Sequence, residues 1–149
     1  MADYYTAVSD ATALAAATAK TVLQIATPST IRARVRELQI SFDGVTSANP
    51  AGLVEIVRQT TAGTMSAVTP NPLDSAAPAS LATASRAATV EPTTTVTVRE
   101  FRITPFAGLL VFQFVDDKDQ IVVPISGFLG IRCTFAQIVN VNASLTFLA

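Results

Sequence analysis

An antiparallel β-sandwich with jelly-roll-like connections is the fold class this sequence predicts. The reading gives an extended N-terminal arm over residues 1–19 and a single β-sandwich domain over 20–149, with a long Pro/Ala/Thr-rich loop inserted at about 60–92. Three observations carry it. About eight short segments alternate apolar and polar residues with period two, punctuated by Gly, Pro, Asn and Asp. Helical periodicity is weak, and no repeat of fixed period points to a propeller or a solenoid. The chain has 149 residues, half of them hydrophobic and 14% charged. That is enough for one core, and it leaves a surface built largely of Ala, Thr, Ser and apolar side chains.

Taken in order, the run Ala11 to Ala19 suits either a short helix or an extended segment. Thr12 and Thr18 disfavour the helix, so an arm that orders on a partner is expected. Lys20 to Ala26 reads as a first strand, stopped by Thr27-Pro28. Ile31 to Phe42 reads as a longer one. In it Ile31, Ala33 and Val35 share a face, while Leu38, Ile40 and Phe42 have the opposite parity, so a β-bulge near Arg36-Glu37 is needed to keep one buried face. Asp43-Gly44 supplies a turn, in a loop running through Asn49-Pro50.

Leu53 to Arg58 is a β-branched strand. Beyond it Pro70, Pro72, Pro78 and Pro92 interrupt regular structure, leaving at most a short helix around Ala79 to Arg86; a loop of this length suits an interaction segment. Thr93 to Thr104 alternates, with a change of parity that predicts a bulge or twist near Arg99-Glu100. Leu109 to Val115 is almost continuously apolar and reads as a central strand covered on both faces, ended by the polar turn Asp116-Asp117-Lys118-Asp119. Ile121 to Ile125, Phe128 to Phe135 and Ile138 to Phe147 complete the set. The last sets Val139, Val141, Ala143, Leu145 and Phe147 against Asn140, Asn142, Ser144 and Thr146.

The sequence contains no histidine and one cysteine. Ser/His and Cys/His nucleophile pairs, His-ligated metals and disulfide frameworks therefore fall away, and Cys133, between Ile131 and Phe135, reads as a buried core thiol. No enzyme activity, cofactor or metal site is expected. A net charge of −1 without a dense Lys/Arg cluster argues against nucleic-acid binding. Without about twenty continuous apolar residues, or a basic stretch before an apolar run at the N-terminus, neither a membrane span nor a secretory signal is expected.

The turn at Asp116, Asp117 and Asp119 lacks the glycine and closing glutamate of a calcium loop. Scarce acids next to arginines, Glu37 by Arg36 and Glu55 by Arg58, suggest ion pairs on strand faces. Arg32, Arg34 and Arg36 alternate along one strand and would project a row of guanidinium groups, either as a solvated face or as a row that grips carboxylates on another protein. Tyr4 and Tyr5, near the terminus, are candidate anchors for another chain's pocket.

Several strings resemble a family of small virion proteins of tailed bacteriophages: Ile25-Ala26-Thr27-Pro28 followed by Arg32-Ala33-Arg34, Ile40-Ser41-Phe42-Asp43-Gly44, and Val54 to Thr64. Further on come Leu81-Ala82-Thr83-Ala84, Val90-Glu91-Pro92-Thr93 and Gly130-Ile131-Arg132-Cys133-Thr134. The resemblance spans most of residues 20 to 148. It implies a β-sandwich capsid decoration or cement protein, made in the host cytoplasm, that sits on the outer capsid surface and ties major capsid protein subunits together. It supplies no active-site residues. In that setting symmetric self-association is expected, as a trimer at the shell's threefold positions. A tail or head-fibre structural module is the alternative, and a carbohydrate-binding β-sandwich a third reading.

Overall fold

The computed structural model describes residues 3–43 and 50–149. Its strands are β1 (Tyr4–Val8), β2 (Thr12–Leu14), β3 (Lys20–Ala26), β4 (Ala33–Asp43), β5 (Gly52–Gln59), β6 (Thr64–Val68), β7 (Asn71–Pro72), β8 (Thr83–Val90), β9 (Thr94–Ile103), β10 (Leu109–Gln113), β11 (Ile121–Val123), β12 (Phe128–Thr134) and β13 (Val139–Leu148), with a 3-10 turn at Pro105–Ala107. They form two antiparallel sheets. The front sheet runs β10-β4-β13-β1-β7, with β11 also beside β4 and β2 beside β13; the back sheet runs β6-β8-β3-β12-β5-β9.

Alternation in β13 places Val139, Val141, Ala143, Leu145 and Phe147 against the back sheet, as the sequence predicts. Opposite them lie Leu23 and Ile25 of β3, Val54 and Ile56 of β5, and Leu129, Ile131 and Cys133 of β12, all in one core cluster. Each Leu or Ile fully withdrawn from water contributes about 1.5–3 kcal/mol, so this cluster dominates the stability of the sandwich. The bulge in β4 falls where the change of parity requires it. Thr146 faces Glu37 while Phe147 faces Val35, so Arg36 is the extra residue and Ala33, Val35, Leu38 and Ile40 all point inward. At this bulge β4 also changes neighbour, from β10 along Glu37–Ser41 to β11 along Ala33–Val35. In β9 the extra residue is Val98, one position before the expected Arg99-Glu100, and a second slip occurs at Thr95.

Four expectations are corrected. Residues 1–19 do not form an arm awaiting a partner: β1 pairs with β13 and β7, and β2 pairs with β13, because Tyr5, Ala7, Thr12 and Leu14 alternate inward. The stretch 60–92 is no free loop, since β6 and β8 join the back sheet and β7 the front sheet. The short helix over Ala79 to Arg86 is absent: Thr83–Arg86 instead pair with β3, where the small side chains of Ala82 and Ala84 fit into the core. Pairing and burial override the helix propensity of alanine there. Finally β10 is an edge strand, not a central one. Leu110 and Phe112 pack against the core, while Leu109 and Val111 stay on the outer surface. Of the predicted turn at Asp43-Gly44 and the loop through Asn49-Pro50, Asp43 ends β4 and 44–49 lie outside the described residues.

Candidate interaction surface

The two sheets differ on their outer sides. Across the back sheet pass the connections 60–63 and 91–93, tied to each other where Thr60 N–H donates to the Thr93 carbonyl (3.0 Å) and Thr93 N–H to Thr61 Oγ1 (2.8 Å). Beneath them lies a closed polar network. The Glu91 carboxylate accepts from the Thr21 N–H (2.9 and 3.0 Å) and hydroxyl (2.7 Å). Gln59 Nε2 donates to Thr21 Oγ1 (3.0 Å), and Gln24 Nε2 donates to Gln59 Oε1 (2.7 Å) and to the Thr61 carbonyl (3.1 Å). The Gln59 amide lies directly over Gly130, where a Cβ would strike it. Gly63, at φ +63°, turns the crossing segment against Val90 and Pro92, a conformation and a space that suit glycine alone.

Farther along the same side, Arg132 Nε and Nη2 donate to the two oxygens of Glu55 (2.9 and 3.0 Å), and Thr97 adds a third bond (2.9 Å). Burial of Glu55 alone would raise its pKa. The hydrogen bonds from Arg132 and Thr97, with the Arg132 charge, outweigh burial and hold it below the ordinary Glu value. Cys133 is completely buried, and burial, with the nearby Glu55 charge, pushes its thiol pKa far up. The expected pairs of Glu37 with Arg36 and Glu55 with Arg58 are replaced. Glu37 accepts from the side-chain amides of Gln39 and Gln113, Glu55 takes Arg132, and Arg58 bonds the Val122 carbonyl (3.0 Å) across the sandwich. Neighbours in sequence along a strand point to opposite faces, which works against pairs of that kind.

The front sheet's outer face is open. Its ladder pairs Asn142 with Ser41, Ser144 with Gln39, Thr146 with Glu37 and Leu148 with Arg34 across β13 and β4. β1 adds Tyr4, Thr6 and Val8, and β10 adds Leu109, Val111 and Gln113. This face is polar at its centre, with Asp43, Glu37 and Arg34 among its rungs and apolar residues toward both sides.

Of the candidates read from the sequence, three meet at one end of this face. Tyr4, Leu148 and Arg34 form one cross-strand row, and Tyr4 and Arg36 line a shallow depression with Glu37, Leu73 and Thr146. Arg36 also reaches Asp117 at 3.7 Å. Arg32 is exposed just ahead of β4, and among the described residues neither it nor Arg34 makes a salt bridge. Tyr5 is not a surface anchor. It is buried, stacks on Phe147 at 6.0 Å and donates its hydroxyl to the Pro78 carbonyl (3.0 Å). One residue of register separates it from Tyr4 and sends the two to opposite faces.

Sequence reasoning missed two features. One is the polar ladder, whose signal was already in the polar parity of β13. The other is an open groove of about 600 Å³ lined by Ala13, Ala15, Lys20, Ala88, Glu91 and Ile138, residues from segments far apart in the chain. The acidic turn closes on itself, Asp116 accepting from the N–H groups of Lys118 and Asp119, both at 3.0 Å. Among the described residues no three His, Cys, Asp or Glu side chains are grouped to hold a metal. No protein-family model, curated protein or solved structure matches the chain.

Proposed function

We propose that this chain is a non-enzymatic virion structural protein, a capsid decoration or cement protein that lays the outer face of its front sheet on a shell of major capsid protein. The observation that carries the reading is that face itself: a broad polar ladder of Asn, Ser, Gln and Thr, with Asp43, Glu37 and Arg34 among them, flanked by exposed Tyr4, Val8, Leu109 and Val111 and not covered by the described residues. Hydrogen-bonding side chains beside exposed apolar and aromatic ones suit a contact with another protein. The sequence resemblance to small phage virion proteins supports the same reading.

The strand order lends further support. Leaving aside the β6–β8 excursion, the front sheet reads β10-β4-β13-β1 and the back sheet β3-β12-β5-β9, with the chain passing repeatedly between sheets. We read this as a jelly roll, an architecture used by viral capsid domains and also by lectins, so the fold by itself does not choose the function. A lectin would present aromatic rings together, whereas the exposed aromatics Tyr4 and Phe106 lie toward opposite ends of the front sheet. Glu55, held by Arg132 and Thr97, and Cys133, closed in the core, are both buried in structural roles, which favours a protein without catalysis.

Labelled-antibody electron microscopy of purified virions, with copy number from quantitative gels, tests this reading. Many copies spread over the head are expected. A few copies at one vertex or along the tail would replace it with the tail or head-fibre module, and absence from particles would overturn both.

A further inference from the structure

Both sheets end on the same flank of the sandwich, β9 in the back sheet and β10 in the front, with the Phe101 and Phe112 rings in contact at 5.0 Å. A free strand edge invites another strand, and proteins blunt such edges with charges and bulges. β9 has both: Arg99, Glu100 and Arg102, and slips at Thr95 and Val98. β10 has neither. Its five residues, Leu-Leu-Val-Phe-Gln, include no charge and no proline, and they pair with β4 without a register shift.

The geometry of this edge is self-complementary. Phe114 N–H donates to the Arg36 carbonyl at 2.9 Å, so by alternation Leu110 and Phe112 also direct their backbone groups at β4. Leu109, Val111 and Gln113 then direct theirs outward. Antiparallel pairing of β10 with β10 of another copy, centred on Val111, sets Val111 against Val111 and Leu109 against Gln113. All the outward groups then face one another, which gives about six backbone hydrogen bonds. No charge opposes a like charge within the pair. The flanking segment carries the same message: Phe106 (53% exposed), Leu109 (58%), Val111 (43%) and Val115 (86%) cluster within ten residues.

We propose that β10 is a self-pairing edge, and that two copies of this chain join along Leu109–Gln113 about a twofold axis at Val111, fusing their front sheets into one. Such an isologous contact uses both β10 edges and closes as a dimer. The arrangement differs from a threefold one and does not rest on the virion reading: a protein absent from particles would still pair this way, and a shell protein that stays monomeric would refute only the pairing.

The test is the mass of the full chain in solution, by sedimentation equilibrium or light scattering after size exclusion. The wild type is expected as a dimer, Val111→Lys as a monomer with an unchanged strand signature in circular dichroism, and Val96→Lys on the protected β9 edge as a dimer. In a second readout, Val111→Cys is expected to form a covalent dimer on mild oxidation, since directly opposed residues sit about 5.5 Å apart at Cα, within reach of a disulfide. That result remains informative should the lysine variant fail to fold. A monomeric or trimeric wild type, a dimeric V111K protein, or a V111C protein that does not cross-link would overturn the proposal.

Discussion

The outer side of the back sheet and that of the front sheet are built from the same kinds of residue, Gln, Thr and Ser, yet they have opposite fates. On the back sheet, Gln24, Gln59 and Thr21 lie beneath 60–63 and 91–93, and each finds its partner within the chain. On the front sheet, Asn142 is exposed and Ser144 and Gln39 are half-buried at a surface that no described segment crosses, the Gln39 side chain bonding only its neighbour Glu37 among the described residues. A buried amide without a partner costs about 1–3 kcal/mol, so the covered face tolerates little change, whereas the open face is held mainly by its backbone ladder and leaves its side chains free for another molecule.

The sharpest way to break this contrast is Arg132→Ala. It strands Glu55, which is only 6% exposed, without its cation, and should cost roughly 2–4 kcal/mol in urea unfolding, with part of the full penalty relieved by solvent near Arg132. A loss below about 1 kcal/mol would mean that the covered side is no more demanding than the open one.

Next comes Gly130→Ala. Its methyl group displaces the Gln59 amide and with it the bonds to Gln24 and Thr21; a loss of about 2 kcal/mol is expected, most of it absent when Gly130→Ala is introduced into a Gln59→Ala background. An equal loss in both backgrounds would locate the cost elsewhere.

The acid limb of stability sharpens the comparison further. Folding lowers the Glu55 pKa, so the unfolded chain binds that proton more readily. The stabilisation is complete above the ordinary Glu range and is lost as pH falls through the lowered folded value. The melting temperature of the wild type should therefore fall more steeply than that of Glu55→Gln as pH drops below about 4.5. Parallel curves would refute the assignment.

The smallest effects on folding belong to the open face. Gln39→Ala and Ser144→Ala should each change stability by no more than about 0.5 kcal/mol. Tyr4→Ala combined with Arg34→Ala should weaken attachment to purified shells while the fold remains; attachment at wild-type strength would remove that end of the face from the contact.

Much of the sandwich is legible in the sequence wherever one face is buried and the other wet. β13 shows its parity throughout, and the change of parity at Arg36 announces its own bulge. Legibility fails where local composition and distant pairing disagree. The alanines of β8 read as loop or helix until β3 supplies an edge, and β1 reads as an arm because its partner β13 lies at the other end of the chain. The run Leu109–Val115 cannot distinguish a strand covered on both sides from an edge strand with an apolar outer face. The candidate surface was half visible: Tyr4, Arg34 and Arg36 are there, but Tyr5 is turned inward by a single residue of register.

The sole thiol of the chain serves as a clock. Cys133 sits near the C-terminal end of β12, inside the core, with no exposure and a thiol held protonated, so thiol reagents find nothing to attack in the closed sandwich. Any labelling must wait for the two sheets to part. When reclosure outruns the reagent, the labelling rate reports how often that parting occurs, and from it the free energy of opening, in the protein as nature made it and without an added probe.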